Sequence, residues 1–228
     1  MNSKNTKPVL LFDVNETLLD MTPLKNTINT LLEEPLAFKI WFGMVLHHSL
    51  VDNCTNQYHD FSTIAVAVLK MTATSLNKTI TEDEIKKALS VIRNLKAYPD
   101  VLKGLQLLKE NSFRLATLTN SPENVLKEQL INSNLTDLFE LALSIDTIKK
   151  YKPDPKTYEW AATKLDQKPQ NIIMIAAHGW DLAGAINAGL KTGFVAREGQ
   201  SLYSLSEKPT YEAKDIYEMA LVLIENYK

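Results

Sequence analysis

The sequence predicts an α/β fold, a doubly wound parallel sheet with an inserted helical cap, on three observations. Short apolar runs alternate with helical patterns along most of the chain. Those runs are four to seven residues long, the length of buried strands, and most are closed by a turn or polar residue. Between residues 21 and 94 the strand pattern stops and only helical periodicity remains.

Five runs read as strands: Val9–Phe12, then 113–118, 139–145, 172–177 and 193–196. Helices are expected between them at about 99–110, 121–133, 154–165 and 181–188. Ser121, Pro122 and Glu123 read as an N-cap, an N1 proline and a first-turn acid, and Asp154-Pro155 repeats the signal. Strands alternating with helices in this way imply a parallel sheet covered on both faces. In the intervening block, Leu24, Ile28, Leu31 and Leu32, then Trp41, Met44, Val45 and His48, keep helical spacing. Thr81 with Glu84 reads as a capping box. The expected division is a core of 1–20 plus 95–228 and a cap of 21–94, seated over the sheet's carboxyl edge, where such sheets bind ligands.

Composition narrows the function classes. The 228 residues are 45% hydrophobic with a formal net charge of −2, which suits a packed enzyme-sized domain and points away from nucleic acid or anionic membrane as partner. No apolar segment is long enough to span a bilayer. The N-terminal MNSKNTKP does not read as a signal peptide. Cys54 is the sole cysteine, so an internal disulfide and thiolate zinc sites are excluded, and a cytoplasmic protein is expected.

Four segments carry the chemistry. The first strand ends in Asp13-Val14-Asn15-Glu16-Thr17, which puts an acid where the crevice opens; alone, it reads equally well as a turn or cap aspartate. The second strand brings Thr119 and Asn120 to the same edge. Lys152 precedes a proline-led helix and could hold a carboxylate ionised, although it also sits in a basic run with Lys149 and Lys150. His178, Trp180 and Asp181 follow the fourth strand.

Asp13, Thr119, Lys152 and Asp181, in this order and each at a strand end or in the following loop, resemble the four motifs of the haloacid dehalogenase superfamily, over nearly the whole chain. The resemblance implies a Rossmannoid core with Asp13 as nucleophile. Most of that superfamily are magnesium-dependent phosphatases, whose first motif resembles Asp-x-Asp. Here the second acid is Asn15, which cannot be a general acid, and Ala177 stands where a metal-binding carboxylate would be.

Thr119-Asn120, Lys152-Pro153-Asp154 with Tyr158, and Trp180-Asp181 look instead like the type II L-2-haloacid dehalogenases. That branch implies a metal-free, cofactor-free reaction on a small halogenated carboxylic acid. Asp13 would displace halide and water would hydrolyse the resulting ester. By the same resemblance Lys152 and Thr17 hold Asp13, Thr119 and Asn120 take the substrate carboxylate, and Asn120 and Trp180 line the halide side. Tyr158, counted among the substrate-binding residues, supports Lys152 and the water together with Asp181. A homodimer is also expected on this ground.

Three positions depart from the branch pattern. Phe42 stands at the halide-cradle arginine, Ala176 replaces a serine, and His178 replaces a water-binding asparagine. His178, hydrogen-bonded to Asp181, is expected to be the general base for ester hydrolysis. His47 and His48 read as core-edge residues, and Trp41, Phe42 and Met44 as the lining of an apolar pocket. A magnesium-dependent phosphatase is the alternative enzyme, and a degenerate binding protein the non-enzymatic one.

Overall fold

A computed structural model describes residues 7–228; residues 1–6 of the segment read above as no signal peptide lie outside them. Six parallel strands form one sheet: β1 (Val9–Phe12), β2 (Arg114–Thr119), β3 (Leu141–Ser144), β4 (Ile172–Ala176), β5 (Lys191–Val195) and β6 (Tyr211–Ala213), in the order β3-β2-β1-β4-β5-β6. β1 is paired on both sides, with Phe12 opposite Thr117 of β2 and Ile175 of β4. Every residue of β1 and β4 is buried, which is why these segments read as continuous apolar runs. The winding reverses beside β1, so the loops leaving β1 and β4 flank the crevice where ligands bind in such sheets.

The five foreseen strands are present with ends shifted by one or two residues. The 139–145 run shrinks to β3 because short 3-10 turns, Thr136–Leu138 and Ile145–Thr147, take its flanks. β6 and the last helix, Ile216–Asn226, were not foreseen. β6 is a three-residue edge strand, too short for periodicity to register. The helix carried a usable signal in Asp215, whose carboxylate caps Glu218 N–H ahead of buried Ile216, Met219, Ala220 and Leu223.

In the block after β1 lie α1 (Thr22–Leu31), α2 (Ala37–Thr55), α3 (Phe61–Ser75) and α4 (Glu82–Ser90). α2 buries Phe38, Trp41, Val45, Ser49 and Asp52, one face at spacings of three and four. Asp60 caps α3, and Thr81 and Glu84 cap each other's backbone at α4, each cap contributing roughly 1 kcal/mol.

The core helices are α5 (Val101–Glu110), α6 (Glu123–Asn132), α7 (Pro155–Lys164), α8 (Gly179–Asn187) and α9 (Ile216–Asn226). Asp154 caps α7 as expected. Ser121 does not cap α6: Pro122 occupies that position, and the Ser121 hydroxyl instead accepts from the Asn15 amide at 3.0 Å.

Two contacts fix the segment that carries Lys152. The Asn53 side chain on α2 bonds both backbone groups of Tyr151, accepting its N–H at 3.0 Å and donating to its carbonyl at 2.9 Å. On the other side, a Cβ at Gly184 would lie 2.5 Å from Pro153 Cβ and 2.8 Å from the Tyr158 hydroxyl, so only glycine lets α8 approach this closely.

Candidate active site

Asp13 leaves β1 with its N–H still donating to the Ile175 carbonyl at 3.0 Å, which anchors it at the sheet edge. Its carboxylate is buried, and burial alone would raise its pKa. Lys152 and His178 outweigh that and hold it well below the usual carboxylate range. Asp13 is therefore an anion with little water around it, a reactive state for a nucleophile.

One carboxylate oxygen belongs to Lys152. Its ammonium donates to Asp13 Oδ1 at 2.8 Å, to Asp181 Oδ2 at 2.6 Å and to the Leu118 carbonyl at 2.9 Å, using all three protons. Burial draws the Lys152 pKa down, but the two carboxylates win and raise it. Asp181 is fully buried; burial and Asp13 raise its pKa against the pull of Lys152. The Tyr158 hydroxyl donates to Asp181 Oδ1 at 2.5 Å and is itself held protonated by burial and that carboxylate. Tyr158 was expected among the substrate-binding residues. It is fully buried behind Asp181 and serves to hold that carboxylate.

The other oxygen belongs to Thr17 and His178. The Thr17 hydroxyl donates to Asp13 Oδ2 at 2.8 Å while accepting the Ala177 N–H at 2.9 Å, so its direction is fixed. His178 Nδ1 lies 3.1 Å from Asp13 Oδ2 and Nε2 lies 2.8 Å from Glu16 Oε2. Burial pulls the imidazole pKa down, yet the bonds to these two acids push it up from 6.5 to about 10. In the resting protein the ring is an imidazolium donating to both. The expected bond to Asp181 is not made, because both Asp181 oxygens are taken by Lys152 and Tyr158.

Glu16 is the residue that sequence reasoning missed. It sits at φ 59°, the left-handed region that side-chain-bearing residues seldom adopt, in the turn closed by Glu16 N–H donating to the Leu19 carbonyl at 3.0 Å. Periodicity says nothing about where a turn side chain points. The only available signal was an extra acid inside the nucleophile's own loop.

A small space of about 20 Å³ opens onto Asp13. Thr119 faces it from the end of β2, Asn120 and Lys152 from the segments after β2 and β3, Phe42 and Leu46 from α2, Phe61 from α3, and His178 and Trp180 from the start of α8. The rings of Phe42 and Trp180 lie 6.5 Å and 5.3 Å from that of His178. Asn120 Oδ1 accepts the Lys152 N–H at 3.0 Å, which leaves its buried amide Nδ2 without a protein partner and free for a ligand anion. His47 is exposed and His48 bonds the Met44 carbonyl of its own helix, so neither reaches the site.

A magnesium ion of the kind phosphatases use does not fit these donors. Both Asp13 oxygens face hydrogen-bond donors, Asn15 Oδ1 accepts from Gln129 Nε2 at 2.9 Å, and Ala177 has no ligand atom.

This arrangement has counterparts in known proteins. Residues 8–189 match the haloacid dehalogenase-like hydrolase family. The chain belongs to that family. Among curated relatives, (S)-2-haloacid dehalogenase 1 of Pseudomonas sp. (strain CBS-3) is 29% identical over 214 residues, covering 87% of this chain and 93% of the relative. (S)-2-haloacid dehalogenase 4A of Burkholderia cepacia is 28% identical over 191 residues, covering 83% of each. The L-2-haloacid dehalogenase of Xanthobacter autotrophicus shares the fold with a TM-score of 0.88 at 20% identity, over 96% of this chain and 98% of that one. The Xanthobacter enzyme has also been solved with chloropropionic acid covalently bound. In this haloacid dehalogenase-like hydrolase the foreseen Thr17, Lys152 and His178 bond the Asp13 carboxylate, and the foreseen Asp181 bonds Lys152.

Proposed function

We propose that the protein is a hydrolytic L-2-haloacid dehalogenase. One observation carries the reading: the Asp13 carboxylate is kept anionic by buried cations on both oxygens, with no second acid at Asn15 to protonate a leaving group. Halide needs no such proton, whereas an alkoxide leaving a phosphate does.

The Asp13 carboxylate attacks C2 of the substrate. A C–O bond forms, the carbon–halogen bond breaks, and halide leaves with the bonding electrons. Asn120 Nδ2 binds the incoming acid, and Phe42, Trp180 and the His178 imidazolium face the departing halide in place of a cradle arginine. Esterification removes the charge of Asp13, so His178 loses one of the two anions that raise its pKa and releases its Nδ1 proton to solvent, where it balances the departed halide. The neutral ring, held through Nε2 by Glu16, takes a proton from water as that water attacks the ester carbonyl. Collapse of the tetrahedral intermediate releases the 2-hydroxy acid, whose alkoxide takes up a proton, and restores the carboxylate.

Residues 21–94 act as a cap that closes this site. We further infer a homodimer through α2, because Leu36, Ile40, Gly43, His47, Leu50 and Cys54 form an exposed stripe at alternating spacings of four and three, the pattern of a helix–helix seam. The lone exposed thiol of Cys54 fits a reducing cytoplasm.

The test is halide release from L-2-bromopropionate and bromoacetate in EDTA, comparing wild type with Asp13→Asn. Release that is insensitive to EDTA and abolished by the substitution is expected. No release, alongside magnesium-dependent hydrolysis of an aryl phosphate, would overturn the reading.

A further inference from the structure

The space at Asp13, about 20 Å³, holds little more than one water-sized centre. Next to it lies a far larger cavity of about 430 Å³, within the range of ligand pockets, between cap helices α2, α3 and α4 and the start of core helix α6. Phe42 and Phe61 face both spaces, and the chain that presents Asn120 to the small one presents Ser121 to the large one. The two spaces are neighbours across one aromatic partition.

We propose that the large cavity is a tail compartment, taking the hydrocarbon chain of longer 2-haloacids whose carboxylate and halogen sit at Asp13. This rests on the dehalogenase reading and names its substrate class: 2-haloacids with an alkyl or aryl substituent beyond the α-methyl group. The small space is full once the reacting head is in place. Its core wall is polar, with Lys152, Thr119 and Asn120, and of its apolar lining residues Phe42 and Phe61 are the two that also face the large cavity, so an apolar tail reaches that cavity past them. Beyond them the wall is apolar, with Ala65, Val66, Leu89 and Val125.

The polar inventory agrees. Among the described residues, the buried side-chain atoms without a partner are in Thr117, Asn120, Gln129 and Thr192, and none of these lines the large cavity. The charged side chains on its rim, Glu82, Asp83, Lys86 and Arg93, stand on the solvent side, and no buried polar atom waits inside for a partner, whereas a hydrocarbon tail requires none. Arg93, at its edge, is already engaged by Glu128 at 2.7 Å.

Full burial of a methylene strengthens binding by roughly fourfold. The three extra methylenes of 2-bromohexanoate would give roughly 60-fold if all were fully buried, so with partial burial we expect its KM to lie at least about tenfold below that for 2-bromopropionate. Leu89→Trp and, separately, Val66→Trp fill the cavity from α4 and α3. Each is expected to remove that advantage while leaving bromoacetate turnover unchanged, which also reports an intact fold. Calorimetric binding of propionate and hexanoate supplies a readout that needs no turnover. If no acid releases halide but hexanoate binds tighter than propionate and both variants erase the difference, the reaction fails and the compartment stands. If short acids are dehalogenated while chain length gains nothing in KM or binding, or the variants affect short and long acids alike, the compartment is overturned.

Discussion

The two oxygens of Asp13 are held by two differently built walls. On the Lys152 side every group is buried from solvent: Lys152, Asp181 and Tyr158 are at most 1% exposed, and the three Lys152 protons go to Asp13, Asp181 and the Leu118 carbonyl. On the His178 side the ring lines the substrate space and its outer partner, Glu16, keeps 18% of its side chain exposed. A lysine ammonium between two buried carboxylates stays charged at any ordinary pH. An imidazole whose charge depends on Asp13 changes state when Asp13 is esterified. The first wall suits a constant task, keeping the nucleophile ionised, and the second suits a task that begins only after the ester has formed.

The largest effect should come from breaking the Lys152 wall. Lys152→Met leaves Asp13 and Asp181 as neighbouring buried acids without the cation they share. Loss of one partner from such a cluster destabilises by roughly 3–5 kcal/mol, and the Asp13 pKa rises, with His178 as its one remaining cation. We expect no ester in a single turnover followed by mass spectrometry of the Asp13 peptide, together with a clear drop in the urea midpoint. Ester formation at the wild-type rate would show that the wall does not set the ionisation.

Breaking the other wall should separate the half-reactions. His178→Asn keeps Lys152 on Asp13, so halide is still released in a first turnover, while ester hydrolysis slows by roughly 10²–10⁴-fold, the usual worth of a positioned base. The ester should accumulate and be visible by mass. Equal single-turnover and steady-state rates in wild type and variant would remove the base role.

The Lys152 wall was legible in the sequence and the other only half so. Asp13 stands at the end of β1, and Lys152 and Asp181 lie in the segments that follow β3 and β4; strand ends in a parallel sheet are placed by the apolar runs themselves, so motif order carried over into geometry. His178 was found the same way, but its partner was assigned to Asp181, its neighbour on α8, when the ring turns to Glu16 across the crevice. That pairing depends on one left-handed residue in a short turn, which no periodicity encodes. The cap helices were legible by spacing and caps, whereas the cavity beneath them arises from how α2, α3 and α4 meet α6, and no single segment records it. Tyr158 was placed by resemblance in support of Lys152 and the water, but the space left by Gly184, which lets its hydroxyl reach Asp181, is a tertiary fact that no segment records.

A smaller effect is expected from Tyr158→Phe. Asp181 loses one hydrogen bond but keeps Lys152, so the substitution should cost about 1–3 kcal/mol of stability while both half-reactions continue. Denaturant titration checks the first part and single-turnover rates the second. An ester-formation defect as large as that of Lys152→Met would place Tyr158 in the chemistry and merge two roles kept separate here.

His178 also sets a pH dependence whose sign follows from its raised pKa. The imidazolium is stabilised by folding, so its contribution is fully present below about 6.5 and is lost as pH rises toward about 10. Wild type should therefore lose stability across that window relative to His178→Asn. Glu16→Gln sharpens the test on the reacting enzyme. In the ester form Asp13 is neutral, leaving Glu16 as the acid still bonded to the ring and raising its pKa. With Glu16 removed, the ring deprotonates at lower pH, so the midpoint of the ester-hydrolysis profile should move acidward. The plateau should fall about tenfold, because a weaker base removes the water proton less effectively. Glu16→Gly separates charge from strain: at φ 59° glycine relieves roughly 1 kcal/mol of backbone cost, yet the acidward shift should persist. A plateau that falls with an unmoved midpoint would mean that Glu16 only shapes the turn, and the difference between the two walls would then rest on His178 alone.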